Sequence, residues 1–209
     1  MSSSWRVGAV LTLALAASSV ALAQAPAAKP APKAAKAVAK DPPVAPGTEA
    51  VVETAKGVFT IRLLPEVAPK HAALFVKTAK AGGYDGTTFH RVIVGGIIQG
   101  GDPLTKDPAK ASLYGTGGLG LVAAEFSDRP FARGTVAAAR KPSSPDSGGR
   151  QFFVCLREQP SLKGQYTIFG EVVSGMEIVD QISLTPADGD KAKERVEMKV
   201  SVQEPPAAP

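Results

Sequence analysis

His90 and Arg91 stand side by side in FHRVIVGGIIQGGDP, Phe89 to Pro103, an otherwise apolar run broken by two glycine pairs and closed by Asp102. A histidine titrates near neutrality and suits acid–base work. An arginine is permanently charged and presents a rigid fork of N–H donors. Acid–base or nucleophilic chemistry also needs partners, and the sequence does not supply them. No G-x-S-x-G occurs, and SSPDSGG is a loop with no histidine base encoded nearby. His71, His90 and Cys155 lack ligand-type spacing, so no metal site is expected. GTGGLG, Gly115 to Gly120, has the letters of a dinucleotide fingerprint. However, the loop-like LTKDPAKASLY precedes it, Pro130 soon breaks LVAAEFSDRPF on its far side, and position 140 is arginine where an acid would hold a ribose. It is a glycine turn.

The elements that must position these residues are mostly strands. EAVVETAKGVFTIRLLPE gives two β-rich runs around Gly57, a hairpin, and Ala68, Ala72, Phe75 and Ala79 then mark one face of a helix, with His71 on its exposed side. Short apolar runs succeed it at 87–94, 97–99, 134–139, 151–155 and 166–172, each bounded by turn residues. Met176, Val179 and Ile182 share a face of a second helix, and RVEMKVSVQ alternates as a closing strand. The fold is mainly β, a barrel or sandwich with two helices. Alternate strand residues point to opposite faces. Strict parity puts Arg91 with Phe89 and Ile93, and His90 with Val92. It also separates Gln151, Phe153 and Cys155 from Phe152 and Val154.

FHR, QGGD, GTGG, GTVAAAR, RQFFVCL and YTIFGEVVSGMEIVDQI occur in that order. Together they closely resemble the cyclophilin-type peptidyl-prolyl isomerases, bacterial exported members in particular, over about residues 49–203. The resemblance implies an eight-stranded antiparallel barrel capped by two α-helices. It also implies an enzyme that rotates Xaa-Pro bonds of proline-containing polypeptides without metal or organic cofactor. It assigns Arg91, Gln99 and Phe153 to catalysis, and Ile97, Gly115, Ala139, Arg140, Leu162 and Tyr166 to substrate binding. With the groove on the outer barrel face, His90 belongs inside with a satisfied ring nitrogen, and Cys155 is an inert packing residue. Four positions depart from the family pattern: Gly96 replaces a common aromatic, Ser161 the tryptophan of eukaryotic members, Tyr166 a histidine, and Arg140 an asparagine. The first two predict a thinner socket, so a proline-binding module or chaperone with weak turnover is the alternative.

The 209-residue chain carries +5, but its first 50 residues hold Arg6, Lys29, Lys33, Lys36 and Lys40 against Asp41 and Glu49, leaving +2 for the remainder. No block of clustered cations with aromatic partners is present, so nucleic acid is not an expected ligand. Residues 1–23 have Arg6, an apolar run and Ala21-Leu22-Ala23, the pattern of a cleaved signal peptide. No stable membrane span is then expected, and the location is periplasmic or secreted. Residues 24–48, rich in Ala, Pro and Lys, form a disordered linker. The isomerase domain covers 49–204 and a disordered tail 205–209. A monomer is expected, and Cys155, the single cysteine, precludes an internal disulfide.

Overall fold

The computed structural model describes residues 43–205. The signal peptide, the linker up to residue 42 and tail residues 206–209 lie outside the described residues. At the start of the described residues Val44 packs on the core, and buried Thr48 donates its hydroxyl to the Ala45 carbonyl at 2.7 Å.

β1 (Glu49–Thr54) and β2 (Gly57–Leu63) form the expected hairpin, followed by α1 (Pro69–Lys80). β3 (Thr87–Ile93) and β4 (Ile97–Gly100) come next, then two short 3-10 turns at Pro103–Lys106 and Pro108–Leu113. β5 (Thr135–Ala138), β6 (Phe152–Cys155) and β7 (Ile168–Ser174) lead to α2 (Met176–Ser183). A two-residue hairpin, β8 (Ala187–Asp188) and β9 (Lys191–Ala192), precedes β10 (Glu197–Gln203). The antiparallel order is β10-β1-β2-β7-β5-β6-β4-β3, and β3 pairs back with β10. The result is the eight-stranded barrel with two helices, to which β8 and β9 add a flap beside β3.

Period-two alternation fills the barrel: Ala50 and Val52, then Phe59, Ile61 and Leu63, then Met198 and Val200 are buried. Phe75 of α1 joins this core, its ring 5.6 Å from Phe152 and 5.4 Å from Phe169, and α2 inserts Val179 and Ile182. A second apolar cluster lies on the other face of β5 and β6, made of Leu64, Phe131, Ala137, Ala139, Phe153, Cys155 and Ile168.

Two expectations for the histidines need correction. Strict parity fails in β3, because its register against β4 shifts between Phe89 and Arg91. This bulge lets Phe89 and Val92 both point into the barrel, so Phe89 does not share the face of Arg91. His90 lies between them, with its Nε2 3.7 Å from where a side-chain carbon on Gly115 would stand. It is buried, yet neither ring nitrogen has a hydrogen-bond partner among the described residues. Burial lowers its pKa, with Asp102 opposing, which keeps the ring neutral.

His71 is not exposed. Its Nδ1 lies 2.6 Å from Glu125 Oε2, and its side chain is covered by the long connection between β4 and β5. Ala68 offers α1 no side-chain cap, and Glu125 takes that role from across the molecule. Its carboxylate accepts from Lys70 N at 3.1 Å and His71 N at 3.0 Å, which satisfies orphan amides at the positive end of the helix. The helical stripe could not announce this, because the covering residue lies 54 positions downstream.

Burial alone would raise the Glu125 pKa, but the His71 ring and the two backbone amides outweigh it and hold the carboxyl below its ordinary range. A carboxyl depressed on folding contributes stability that is complete above its unfolded pKa and is lost as pH falls toward the folded one. Urea unfolding of the wild type is therefore expected to weaken progressively below about pH 4.3. Glu125→Gln should be less stable at neutral pH and show a flatter acid slope. Parallel pH profiles for the two proteins would exclude Glu125 as an acid-sensitive clasp.

Candidate active site

Pairing register places the candidate catalytic residues in one line. Arg91 of β3 stands opposite Gln99 of β4, Gln99 opposite Phe153 of β6, and Phe153 opposite Ala137 of β5. Neighbouring strands lie about 4.8 Å apart. The row therefore runs from a guanidinium through an amide to an aromatic ring over a short span.

The polar half of the row is held from both sides. Arg91 Nε donates to Asp190 Oδ2 at 2.6 Å, and its Nη1 approaches Gln99 Oε1 at 3.4 Å. Gln99 Nε2 donates to Gln151 Oε1 at 3.0 Å, and Gln151 Nε2 donates to the Gly117 carbonyl at 2.7 Å. Gln151 is fully buried, so this chain has a fixed root. Asp102, also fully buried, anchors the glycine turn by accepting from Gly115 N at 2.6 Å, Gly117 N at 3.1 Å and Leu104 N at 2.8 Å. Gly115 adopts φ +90°, in the region glycine favours, and borders His90. Arg91 Nη2 has no partner among the described residues, and the side chain is 40 % exposed.

The apolar half belongs to the second cluster. Phe153 meets Tyr166 edge-on at 5.3 Å and lies near-parallel to Phe131 at 6.5 Å. Ile97, Leu162 and Tyr166 pack around the buried Phe153, Ala139 and Cys155. Gln159 N donates to the Phe131 carbonyl at 2.8 Å, tying the short turn that carries Leu162 to this wall. Arg140 stacks its guanidinium 4.7 Å from the centre of the Tyr166 ring. The structure thus gathers Arg91, Gln99, Phe153, Ile97, Ala139, Arg140, Leu162 and Tyr166 on one face, with Gly115 at the end of the hydrogen-bonded chain.

Sequence reasoning missed three participants. Asp190 lies in an ordinary-looking turn, and only the pairing of Arg91 with Lys191 and the bond from Val92 N to the Asp190 carbonyl bring it to the guanidinium. Gln151 was legible by parity, but not as the support of Gln99. Phe131 comes after a proline in a loop and gave no signal of its stacking role.

The arrangement contains no acid–base couple. Arg91 beside Asp190 holds that carboxyl below its usual range, while burial pushes the Cys155 thiol up to about 12. Among the described residues no group of three His, Cys, Asp or Glu side chains could hold a metal ion. What the face offers is an apolar patch, an amide fixed by Gln151 and a guanidinium that keeps one end without a partner among the described residues.

Comparisons with known proteins identify the family of the chain. The profile of the family described as "Cyclophilin type peptidyl-prolyl cis-trans isomerase/CLD" matches residues 50–203. A "Probable peptidyl-prolyl cis-trans isomerase" of Brucella suis is 42 % identical over 142 residues, covering 66 % of this chain and 72 % of that protein. A "Peptidyl-prolyl cis-trans isomerase" of Synechococcus elongatus is 41 % identical over 125 residues, covering 59 % and 79 %. The crystal structure of a Cryptosporidium parvum cyclophilin-type isomerase, determined in the presence of the dipeptide Ala-Pro, superposes with a TM-score of 0.66. It is 27 % identical, with 75 % of this chain and 99 % of that chain covered.

Gly96 acquires a local explanation. Its N–H donates to the Ile93 carbonyl and its carbonyl accepts from Leu156 N, both at 2.8 Å. A Cβ there would stand 2.8 Å from Ile93 Cγ2 and 3.3 Å from the Ile93 oxygen. Ile93 thus occupies the space that a side chain at 96 would need. Gly96→Ala is expected to cost about 1–3 kcal/mol in urea unfolding through overpacking. Ile93 is 38 % exposed, so Ile93→Ala alone should be mild, and in the double variant it should recover part of the loss. Additive effects in that cycle would refute the steric coupling.

Proposed function

The chain belongs to the cyclophilin-type peptidyl-prolyl cis-trans isomerases, and from that premise we propose that Arg91, Gln99 and Phe153 carry the rotation of Xaa-Pro bonds in exported polypeptides. Amide rotation meets a barrier of about 18–20 kcal/mol because nitrogen shares its lone pair with the carbonyl. Uncatalysed prolyl bonds therefore interconvert over roughly tens to hundreds of seconds. No covalent bond is cut. Only selective stabilisation of the twisted state is required, and each 1.36 kcal/mol of it gives about tenfold in rate.

In this reading Phe153, Ile97, Leu162 and Tyr166 receive the pyrrolidine ring. Ala139 and Gly115 border the backbone on either side of it, and Gln99 binds the backbone with an amide whose orientation Gln151 fixes. Arg91 holds the substrate carbonyl and directs a donor toward the prolyl nitrogen, whose lone pair becomes available as conjugation is lost. The observation that carries the proposal is the unpartnered Nη2 of Arg91, held by Asp190 at the edge of the socket. The apolar face around Phe153, next to the Arg91 donor, supports action on proline-containing polypeptides. The apolar N-terminal run with its small-residue cleavage site supports a periplasmic or secreted location.

Exchange NMR or a protease-coupled assay on an Ala-Pro-Phe peptide should show acceleration by the wild type. Arg91→Ala should lose it by about two orders of magnitude, the scale of removing one preorganised donor, while peptide affinity changes only a few-fold. Binding without acceleration by the wild type would leave a proline-binding module instead.

A second expectation concerns pH. Asp190 is ionised because its pKa is lowered, and Cys155 stays protonated because its own is raised. The pH profile of kcat/KM should therefore be flat between about pH 5 and 9. A bell-shaped profile in that interval would show that a titrating group takes part.

A further inference from the structure

Arg140 is held beside the socket without a counter-charge. Its Nε donates to the Gln165 carbonyl at 2.8 Å, and its Nη1 to the carbonyls of Lys141 at 3.0 Å and Pro142 at 3.3 Å. The Tyr166 ring supports the guanidinium from one face. Its Nη2 has no partner among the described residues, and no carboxylate pairs with it there.

Nearby acids are committed elsewhere. Asp102 holds three backbone amides, Asp146 Oδ1 accepts from Ala124 N at 3.0 Å, Asp190 is bound to Arg91, and Asp128 reaches Lys163 at 3.7 Å. The rim next to Tyr166 is therefore a fixed positive charge lacking an internal partner among the described residues, one ring away from Phe153. A guanidinium already fixed by three carbonyls and an aromatic ring loses little freedom when it meets a carboxylate.

We propose that Arg140 makes the enzyme select prolyl bonds whose adjacent residue is Asp or Glu, an inference that rests on the isomerase reading. The selection is electrostatic and acts on the flanking side chain, leaving rotation itself to the Arg91 row.

The test uses peptides identical except for Glu, Ala or Lys immediately before proline, and a second set with the same changes immediately after it. At low salt, kcat/KM of the full chain should favour Glu over Lys by about three- to tenfold at one of these positions. Raising ionic strength to 1 M, where the Debye length falls to about 3 Å, should compress that ratio. Arg140→Gln, which removes the charge and keeps a hydrogen-bonding amide, should bring it close to one. Should Arg140→Gln lose turnover on every peptide, the ratio of Glu- to Lys-peptide affinities by calorimetry reads the same quantity. A wild-type ratio near one at both positions, or a ratio that survives Arg140→Gln, overturns the inference while leaving the isomerase intact. A wild type inert on the Ala peptide overturns the isomerase reading and this inference with it.

Discussion

The irregular register in β3 between Phe89 and Arg91 is the constraint on which the site depends. A regular strand would send Phe89 and Arg91 to the same face, so the protein would have to expose a large aromatic or bury a guanidinium. The bulge removes that choice. Phe89 and Val92 fill the barrel, Arg91 faces outward opposite Gln99, and His90 is taken into the boundary beneath the glycine turn. One displaced residue thus separates core packing from ligand chemistry on a single strand.

Rigidity spreads from that point through groups already committed to one another. Asp102 fixes the glycine turn, Gly117 receives Gln151, Gln151 fixes Gln99, and Asp190 steadies Arg91 from the flap. Each link is a hydrogen bond of modest net value, about 0.5–1.5 kcal/mol. Their effect is cumulative, because the buried root leaves the exposed groups few alternative partners. Such preorganisation suits a reaction that makes and breaks no covalent bond, where the protein contributes only geometry and fixed dipoles.

Much of the fold was legible because its information is local. Alternation in β1, β2 and β10 and the stripe of Ala72, Phe75 and Ala79 arise directly from backbone periodicity. Arg91, Gln99 and Phe153 were legible through motif order, and the opposed faces of Phe152 and Phe153 through parity. The hidden part was set by distance along the chain. Glu125 caps a helix that begins 56 residues earlier, Asp190 meets an arginine 99 residues away, and the Phe89 bulge depends on a partner strand. His71 was misplaced for the same reason: its helix does not encode what covers it.

The first and last strands are partners, with Glu49 opposite Gln203 and Thr54 opposite Met198. A chain growing from its N-terminus therefore presents β1 with one vacant edge until β10 is available, and the barrel cannot be completed without that strand. Closure of so distant a pair costs entropy before native contacts offset it, which places this topology among the slower folders. The order of synthesis and the order of assembly are thus decoupled: an enzyme devoted to hastening one slow step in other chains must itself wait for its last strand.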